Sequence, residues 1–386
     1  MRRTELLGLF VLAVALTGCA TPAPAPAPSP VSITQVPPAA ASSVPAPEPT
    51  PSVEAAPAGC EKVIADLPVR RRLAQLLVVG VDASNARAAT DLVRAEQIGG
   101  IFLGGNATGL LRDNALSAVQ AAATVPVSVA VDEEGGRVQR IDELDGDVPS
   151  ARKMAQTLSP DEVKAVGAER GRALRARGVT VDYAPDVDVT DQPDNAVIGD
   201  RSFSPDPEVV RAYAFAFAEG LRESGIQPVF KHFPGHGHAS GDSHKGAVVT
   251  PPLATLRGDD LVPYQAIAEF DGAAVMVGHV AVPGLTSGKP ASLAAPAYRL
   301  LRTDYHFDGP VITDDLGAMR AISARYPLPT AVVQALAAGA DQALWSSGGR
   351  VGEVLDRLEK AAATGELPAD RIHEALLRVL TAKQAC

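Results

Sequence analysis

The sequence predicts an α/β fold, a (β/α)8 barrel of the TIM type forming one catalytic domain over residues 60–386. Three observations predict it. Eight short apolar runs recur along this stretch, each followed by a helical pattern. Most of these runs lack strict apolar–polar alternation, as strands buried on both faces do. The charged and imidazole side chains that interrupt them fall almost entirely at their C-terminal ends, which in a barrel converge on one mouth.

Taken in order, strands are expected near Leu76–Val81, Gly100–Leu103, Val125–Val131, Val179–Tyr183, Pro228–Lys231, Ala274–Gly278, Pro310–Thr313 and Gln342–Trp345. Asp132 follows the third, Asp186 and Asp188 the fourth, Lys231 and His232 close the fifth, His279 follows the sixth, and Asp314 and Asp315 follow the seventh. Helix starts fall between them. Ser159-Pro160-Asp161-Glu162 has the S-x-x-E capping box with proline at the first helical position. Asp206-Pro207-Glu208 opens a second helix, in which Val210, Tyr213, Ala214, Phe217 and Leu221 form one buried stripe. A doubly wound open sheet would want a glycine-rich phosphate turn after its first strand, and Gly80-Val81-Asp82-Ala83-Ser84 does not supply one.

The rest of the chain reads differently. Thr21–Gly59 holds 12 of the 32 prolines and only two charged residues, Glu48 and Glu54, too little apolar surface to offset its ordering entropy. Before it, Arg2 and Arg3 precede an uncharged apolar run, Leu6–Leu16, shorter than the ~20 residues of a spanning helix. Leu16-Thr17-Gly18-Cys19 resembles a bacterial lipobox, which implies cleavage before Cys19 and lipidation of its thiol. The alternative is an ordinary secretory signal with an unrelated cysteine. The expected organisation is thus a leader at 1–18, a lipidated tether at 19–59 and the barrel at 60–386, exported and held to the outer face of the cytoplasmic membrane. Cys60 and Cys386 bracket the barrel, whose ends lie near each other when it closes; in an oxidising exterior they either pair or remain two free thiols. A net charge of −10 argues against nucleic acid as a partner, and three cysteines exclude a multi-cysteine metal cluster. A monomer is expected.

Lys231–His244 is the most informative segment. Four of the seven histidines, His232, His236, His238 and His244, lie in it among a proline and three glycines, which makes it a shaped loop. The spacing matches no zinc-helix pattern such as H-E-x-x-H, and Lys231 brings a competing positive charge. No metal and no cofactor are expected.

The order K-H-F-P-G-H-G followed by Asp242-Ser243-His244 resembles glycoside hydrolase family 3, in its β-N-acetylglucosaminidase branch. The resemblance extends to Asp132-Glu133-Glu134-Gly135-Gly136 with Arg137-Val138-Gln139-Arg140, to Gly199-Asp200-Arg201-Ser202-Phe203, to Pro290-Ala291-Ser292-Leu293 and to Val311–Met319. It implies Asp314 as nucleophile, with Asp315 as the alternative, and His244 oriented by Asp242 as acid/base. It further implies Asp132, Arg140, Arg201, Lys231 and His232 as sugar-binding residues, with Lys231 keeping the nucleophile ionised. Trp345 is read as lining either the site or the core. Two residues depart from the family pattern: His238, where many members carry an acidic or polar residue, and Glu133, where glutamine is commoner. The barrel consumes the chain, so the Asp242–His244 loop is expected to supply the acid/base.

The function implied is a retaining exo-β-N-acetylglucosaminidase acting on carbohydrate, specifically on N-acetylglucosamine-containing peptidoglycan fragments. The alternatives are a β-glucosidase of the same family, an N-acetylglucosaminide phosphorylase, and a lipoprotein that binds cell-wall sugar without cleaving it.

Overall fold

The computed structural model describes residues 58–386; the expected leader, the expected tether and Cys19 lie outside the described residues. Eight parallel strands are ordered β10-β1-β2-β3-β4-β5-β7-β9. They are β1 (Leu77–Gly80), β2 (Gly100–Phe102), β3 (Ser128–Val131), β4 (Val181–Asp182), β5 (Gln227–Phe233), β7 (Ala274–Val277), β9 (Val311–Thr313) and β10 (Ala343–Trp345). A parallel bridge between Ile312 and Gln342 joins the two ends of the order and closes the ring. All eight expected strands are present. A further parallel pair, β6 (Val248–Val249) with β8 (Val280–Ala281), ties the loop after β5 to the chain after β7. Strands of two residues carry too little periodicity to be read from sequence.

The barrel interior is a packed core. Val78, Phe102, Ala130, Val181, Tyr183, Val229, Ala274, Met276, Ile312 and Leu344 form one buried cluster, contributed by every strand of the ring. Phe102 and Tyr183 stack with ring centroids 5.5 Å apart. A second, larger cluster fills the space between the ring and its helices. At the N-terminal end of the barrel, buried Asp341 accepts the Val311 N–H at 2.9 Å and pairs with Arg302 at 2.7 Å and with Arg371.

The helices form where their caps predict. Ser159 and Glu162 make the reciprocal capping box of Pro160–Ala176, and Asp206 accepts the Glu208 N–H at the start of Pro207–Glu223. These two helices cross closely because Gly167 and Gly220 lie at the contact: a Cβ on Gly167 would collide with the Phe217 carbonyl, and one on Gly220 with the Lys164 carbonyl. In the predicted stripe Val210, Ala214, Phe217 and Leu221 are buried, while Tyr213 is half-buried and donates its hydroxyl to the Leu158 carbonyl at 2.8 Å. The first helix begins at Ala58, two residues before the expected start of the domain. Cys60 and Cys386 form a disulfide with Cα atoms 4.7 Å apart, so the bridge, not the pair of free thiols, closes the barrel's ends. Among the described residues no helix is long and apolar enough to cross a membrane.

Candidate active site

Asp314 stands immediately after β9, at the C-terminal mouth, with only 6% of its surface exposed. Its Oδ1 accepts the Asp315 N–H at 2.8 Å, and its Oδ2 has no hydrogen-bond partner. Burial pushes this carboxyl up, but the imidazoles of His279 and His232, the Asp315 N–H and His244 more than offset it, so Asp314 lies below the usual carboxylate range. The result is an ionised carboxylate with one oxygen uncommitted. The Lys231 ammonium, expected to keep this carboxylate ionised, forms its ion pairs with Asp132 and Glu134. Asp315 has a different task. Its carboxylate accepts the N–H groups of Gly317, Ala318 and Ser346 and the Ser346 hydroxyl, which braces the loop against the end of β10.

His279 supports the same loop. Burial lowers its pKa. The Asp315 carbonyl can only accept, so His279 Nε2–H donates to it at 2.9 Å, and Nδ1 accepts the Ser292 hydroxyl at 2.7 Å. The Pro290–Leu293 motif thus acts through Ser292 on a histidine and through that histidine on the loop carrying Asp314.

Across the mouth the charged groups interlock. Lys231 Nζ lies 2.7 Å from Asp132 and 2.5 Å from Glu134. Arg201 makes a bidentate pair with Glu134, at 2.7 and 2.8 Å, and lies 3.3 Å from Asp186. Arg140 is 3.8 Å from Asp132. Burial penalises the ionised Glu134, but Arg201 and Lys231 outweigh this and hold its carboxyl far below the ordinary range. The structure therefore gathers Asp132, Arg140, Arg201 and Lys231 into one cluster whose centre, Glu134, has no role in the sequence reading. Two adjacent glutamates follow Asp132, and only the turn of the loop decides which faces the cations. Glu133 turns away beneath the loop, accepting the Arg140 N–H at 2.5 Å and the Ile141 N–H at 3.2 Å. The departure at Glu133 thus concerns loop support, not a sugar subsite.

Glu134→Gln should lower stability by about 3 kcal/mol, since it strips charge from a buried network, and should raise KM. Because the folded pKa of Glu134 is depressed, its contribution is present above the unfolded value of ~4.3 and is lost as pH falls through the folded one. Thermal melts at pH 7 and pH 3 check this: the wild-type advantage at pH 7 should shrink in acid.

The β5 strand pairs regularly with β7 up to Phe230 and resumes at Phe233 with a shifted register. That irregularity brings consecutive Lys231 and His232 both to the mouth, where strict alternation would separate them. His232 Nδ1–H donates to Asp188 Oδ2 at 2.7 Å, and the His236 N–H donates to Asp188 Oδ1 at 2.6 Å. Burial lowers the His232 pKa, but Asp188 outweighs it and favours the imidazolium. Beyond them, Gly237 packs so tightly on the β4 loop that a Cβ would collide with the Val189 carbonyl.

The loop then carries Asp242-Ser243-His244. Asp242 Oδ1 accepts the His244 N–H and faces His244 Nδ1, both at 3.0 Å. Burial raises Asp242, but the His244 N–H and the Lys245 ammonium bring it below the usual range. His244 itself is exposed. The Ser243 and His244 carbonyls accept the N–H groups of Ala321 and Arg320, just after the Asp314 loop, and His236 Nε2 lies 3.3 Å from the Ser243 hydroxyl. The acid/base candidate is thereby tied to the segment that bears the nucleophile candidate.

The four histidines of this stretch do not converge on one metal centre: His232 faces Asp188, His236 faces Ser243, His238 faces Asp260 and His244 faces Asp242. Asp186, Asp188 and His232 do cluster, but Arg201 already supplies a cation beside Asp186. Trp345 belongs to the core, fully buried, with its indole N–H on the Gly349 carbonyl at 3.2 Å.

The mouth thus holds a buried carboxylate with a free oxygen, a histidine–aspartate pair and a cluster of interlocked charged side chains. The model of the glycosyl hydrolase family 3 N-terminal domain matches residues 68–382. The chain is 51% identical over 337 residues to the β-hexosaminidase LpqI of Mycobacterium tuberculosis, covering 85% of each chain. A crystal structure of a family 3 glycosyl hydrolase from Mycobacterium smegmatis superposes with a TM-score of 0.80 at 51% identity, over 83% of this chain and 98% of that one. A family 3 β-N-acetylglucosaminidase from Paenibacillus superposes with a TM-score of 0.77 at 30% identity, over 83% of this chain and 62% of that one. The chain belongs to glycosyl hydrolase family 3.

Proposed function

We propose that this glycoside hydrolase is a retaining exo-β-N-acetylglucosaminidase that removes terminal N-acetyl-β-D-glucosaminyl residues from peptidoglycan-derived fragments. The observation that carries the reading is Asp314 Oδ2, ionised and unpartnered, at the same mouth as the Asp242–His244 pair. In the first step Oδ2 attacks the anomeric carbon as the bond to the leaving oxygen breaks. The His244 imidazolium donates its Nε2 proton to that oxygen, while Asp242 holds the Nδ1–H. In the second step the neutral imidazole takes a proton from water, water attacks the anomeric carbon, and the bond to Asp314 breaks with retention. Asp132, Arg140, Arg201, Lys231 and His232 hold sugar hydroxyls, with Glu134 set between Arg201 and Lys231. Relatives named β-hexosaminidase and β-N-acetylglucosaminidase support the choice of sugar.

The test is a panel of aryl glycosides assayed with and without phosphate. The aryl N-acetyl-β-glucosaminide should exceed the matching β-glucoside in kcat/KM by about tenfold or more, and free N-acetylglucosamine should remain the main product in phosphate. Higher efficiency on the glucoside would sink the assignment, and a sugar phosphate as main product would replace hydrolysis by phosphorolysis.

We further propose that Cys19 carries the lipid anchor that holds the exported enzyme to the membrane face. Cys19→Ala should move the protein from the membrane fraction to the soluble exported fraction with activity intact. Tight membrane association of that variant would point to a different anchor.

A further inference from the structure

Among the interactions of the loop after β5, the contact between His238 and the Asp259–Asp260 pair is not used by the chemistry above. His238 Nδ1 lies 3.0 Å from Asp260 Oδ2 and 4.0 Å from Asp259 Oδ2. One ligand atom from each of the three residues falls within 4.8 Å of the others. Asp260 is 1% exposed, yet its Oδ1 has no hydrogen-bond partner, and neither does Asp259 Oδ1. A buried carboxylate with an idle oxygen is costly unless a cation or donor meets it. Gly235 packs against the Cβ and Oδ1 side of Asp260, where an added Cβ would collide, which fixes the carboxylate with Oδ2 turned to His238.

We propose that His238, Asp259 and Asp260 bind a zinc ion that fastens the start of the acid/base loop to the chain at residues 259–260. Zinc bonds of ~2.0–2.2 Å to imidazole and carboxylate put ligands somewhat over 3 Å apart. His238 and Asp260, at 3.0 Å, need to part only slightly to admit the ion, and Asp259, at 4.0 Å with 37% of its side chain exposed, has room to close in. Three protein ligands leave a position for water on the solvent side, where His238 is 32% exposed. One nitrogen and two carboxylates suit zinc, whereas calcium wants six to eight oxygens.

The site is separate from the Asp242–His244 pair and from Asp314, so metal binding is read without reference to turnover. The full-length protein, purified in detergent and stripped with a chelator, is dialysed against Zn2+, and bound metal is counted. Cobalt absorption spectra report the ligand field in parallel. Expected is one saturable equivalent whose affinity falls at least tenfold in His238→Ala and in Asp259→Asn and is unchanged in His244→Ala. Both substituted ligands are partly exposed, and melting curves confirm that the variants fold. Zinc should also raise the melting temperature of the wild type and not that of His238→Ala. Absence of a saturable equivalent overturns the proposal. So does an equivalent that survives His238→Ala at full affinity, or one lost in His244→Ala, which would place the ion on the acid/base pair instead.

Discussion

Asp314→Ala should lower turnover of an aryl N-acetyl-β-glucosaminide by roughly 10⁴-fold or more, with no initial burst, whatever the leaving group. In the proposed mechanism the variant lacks the oxygen that forms the glycosyl–enzyme bond, and its charged neighbours are already engaged. Lys231 is committed to Asp132 and Glu134, and the Asp315 carboxylate is filled by Gly317, Ala318 and Ser346. Asp315→Ala supplies the contrast. It removes the brace to Ser346 and so should lower the melting temperature while retaining burst kinetics. Stopped-flow release of the aryl group from both variants, with melting curves as a control for folding, distinguishes the roles. A burst in Asp314→Ala and none in Asp315→Ala would exchange the two assignments.

His244→Ala should fail in a different way. Natural leaving groups need a proton, and their hydrolysis should fall by about 10²–10⁴-fold. A nitrophenolate needs none, so formation of the glycosyl–enzyme survives better than its hydrolysis. A burst followed by slow turnover is the expected trace, and azide should accelerate turnover by replacing the activated water, giving the β-glycosyl azide. The exposure of His244 permits this rescue, because removing the ring opens the solvent side of the mouth without a cavity in the core. Complete loss without burst or rescue would remove His244 from the acid/base role.

The barrel was legible because its strands are apolar runs that end in charge, and the ring places those ends together whatever the loops do. Asp314, Asp242 and His244 were nominated for the chemistry only through the resemblance of short motifs, since an aspartate after a strand is equally a loop brace, as Asp315 shows. What stayed hidden depends on turns within loops. Residue chemistry alone does not distinguish the glutamate under the loop from the one between Arg201 and Lys231; the commoner glutamine at position 133 was the one available signal, and no role for Glu134 was drawn from it. The link from Ser292 through His279 to Asp315 joins β7, β9 and a distant loop, and no local pattern announces it. Alternation along β5 would have separated Lys231 from His232, and the backbone irregularity between Phe230 and Phe233 is not visible in the sequence pattern.

Which carboxylate becomes glycosylated is the point on which the reading of this site turns. The direct measurement is incubation with a fluorinated N-acetylglucosaminyl fluoride whose glycosyl–enzyme turns over slowly, followed by intact-protein mass and fragmentation of the labelled peptide. A single adduct on Asp314, absent from Asp314→Ala and longer-lived in His244→Ala, is the predicted result. A label on Asp315 or any other carboxylate, or no covalent adduct under conditions that inactivate the enzyme, would contradict it.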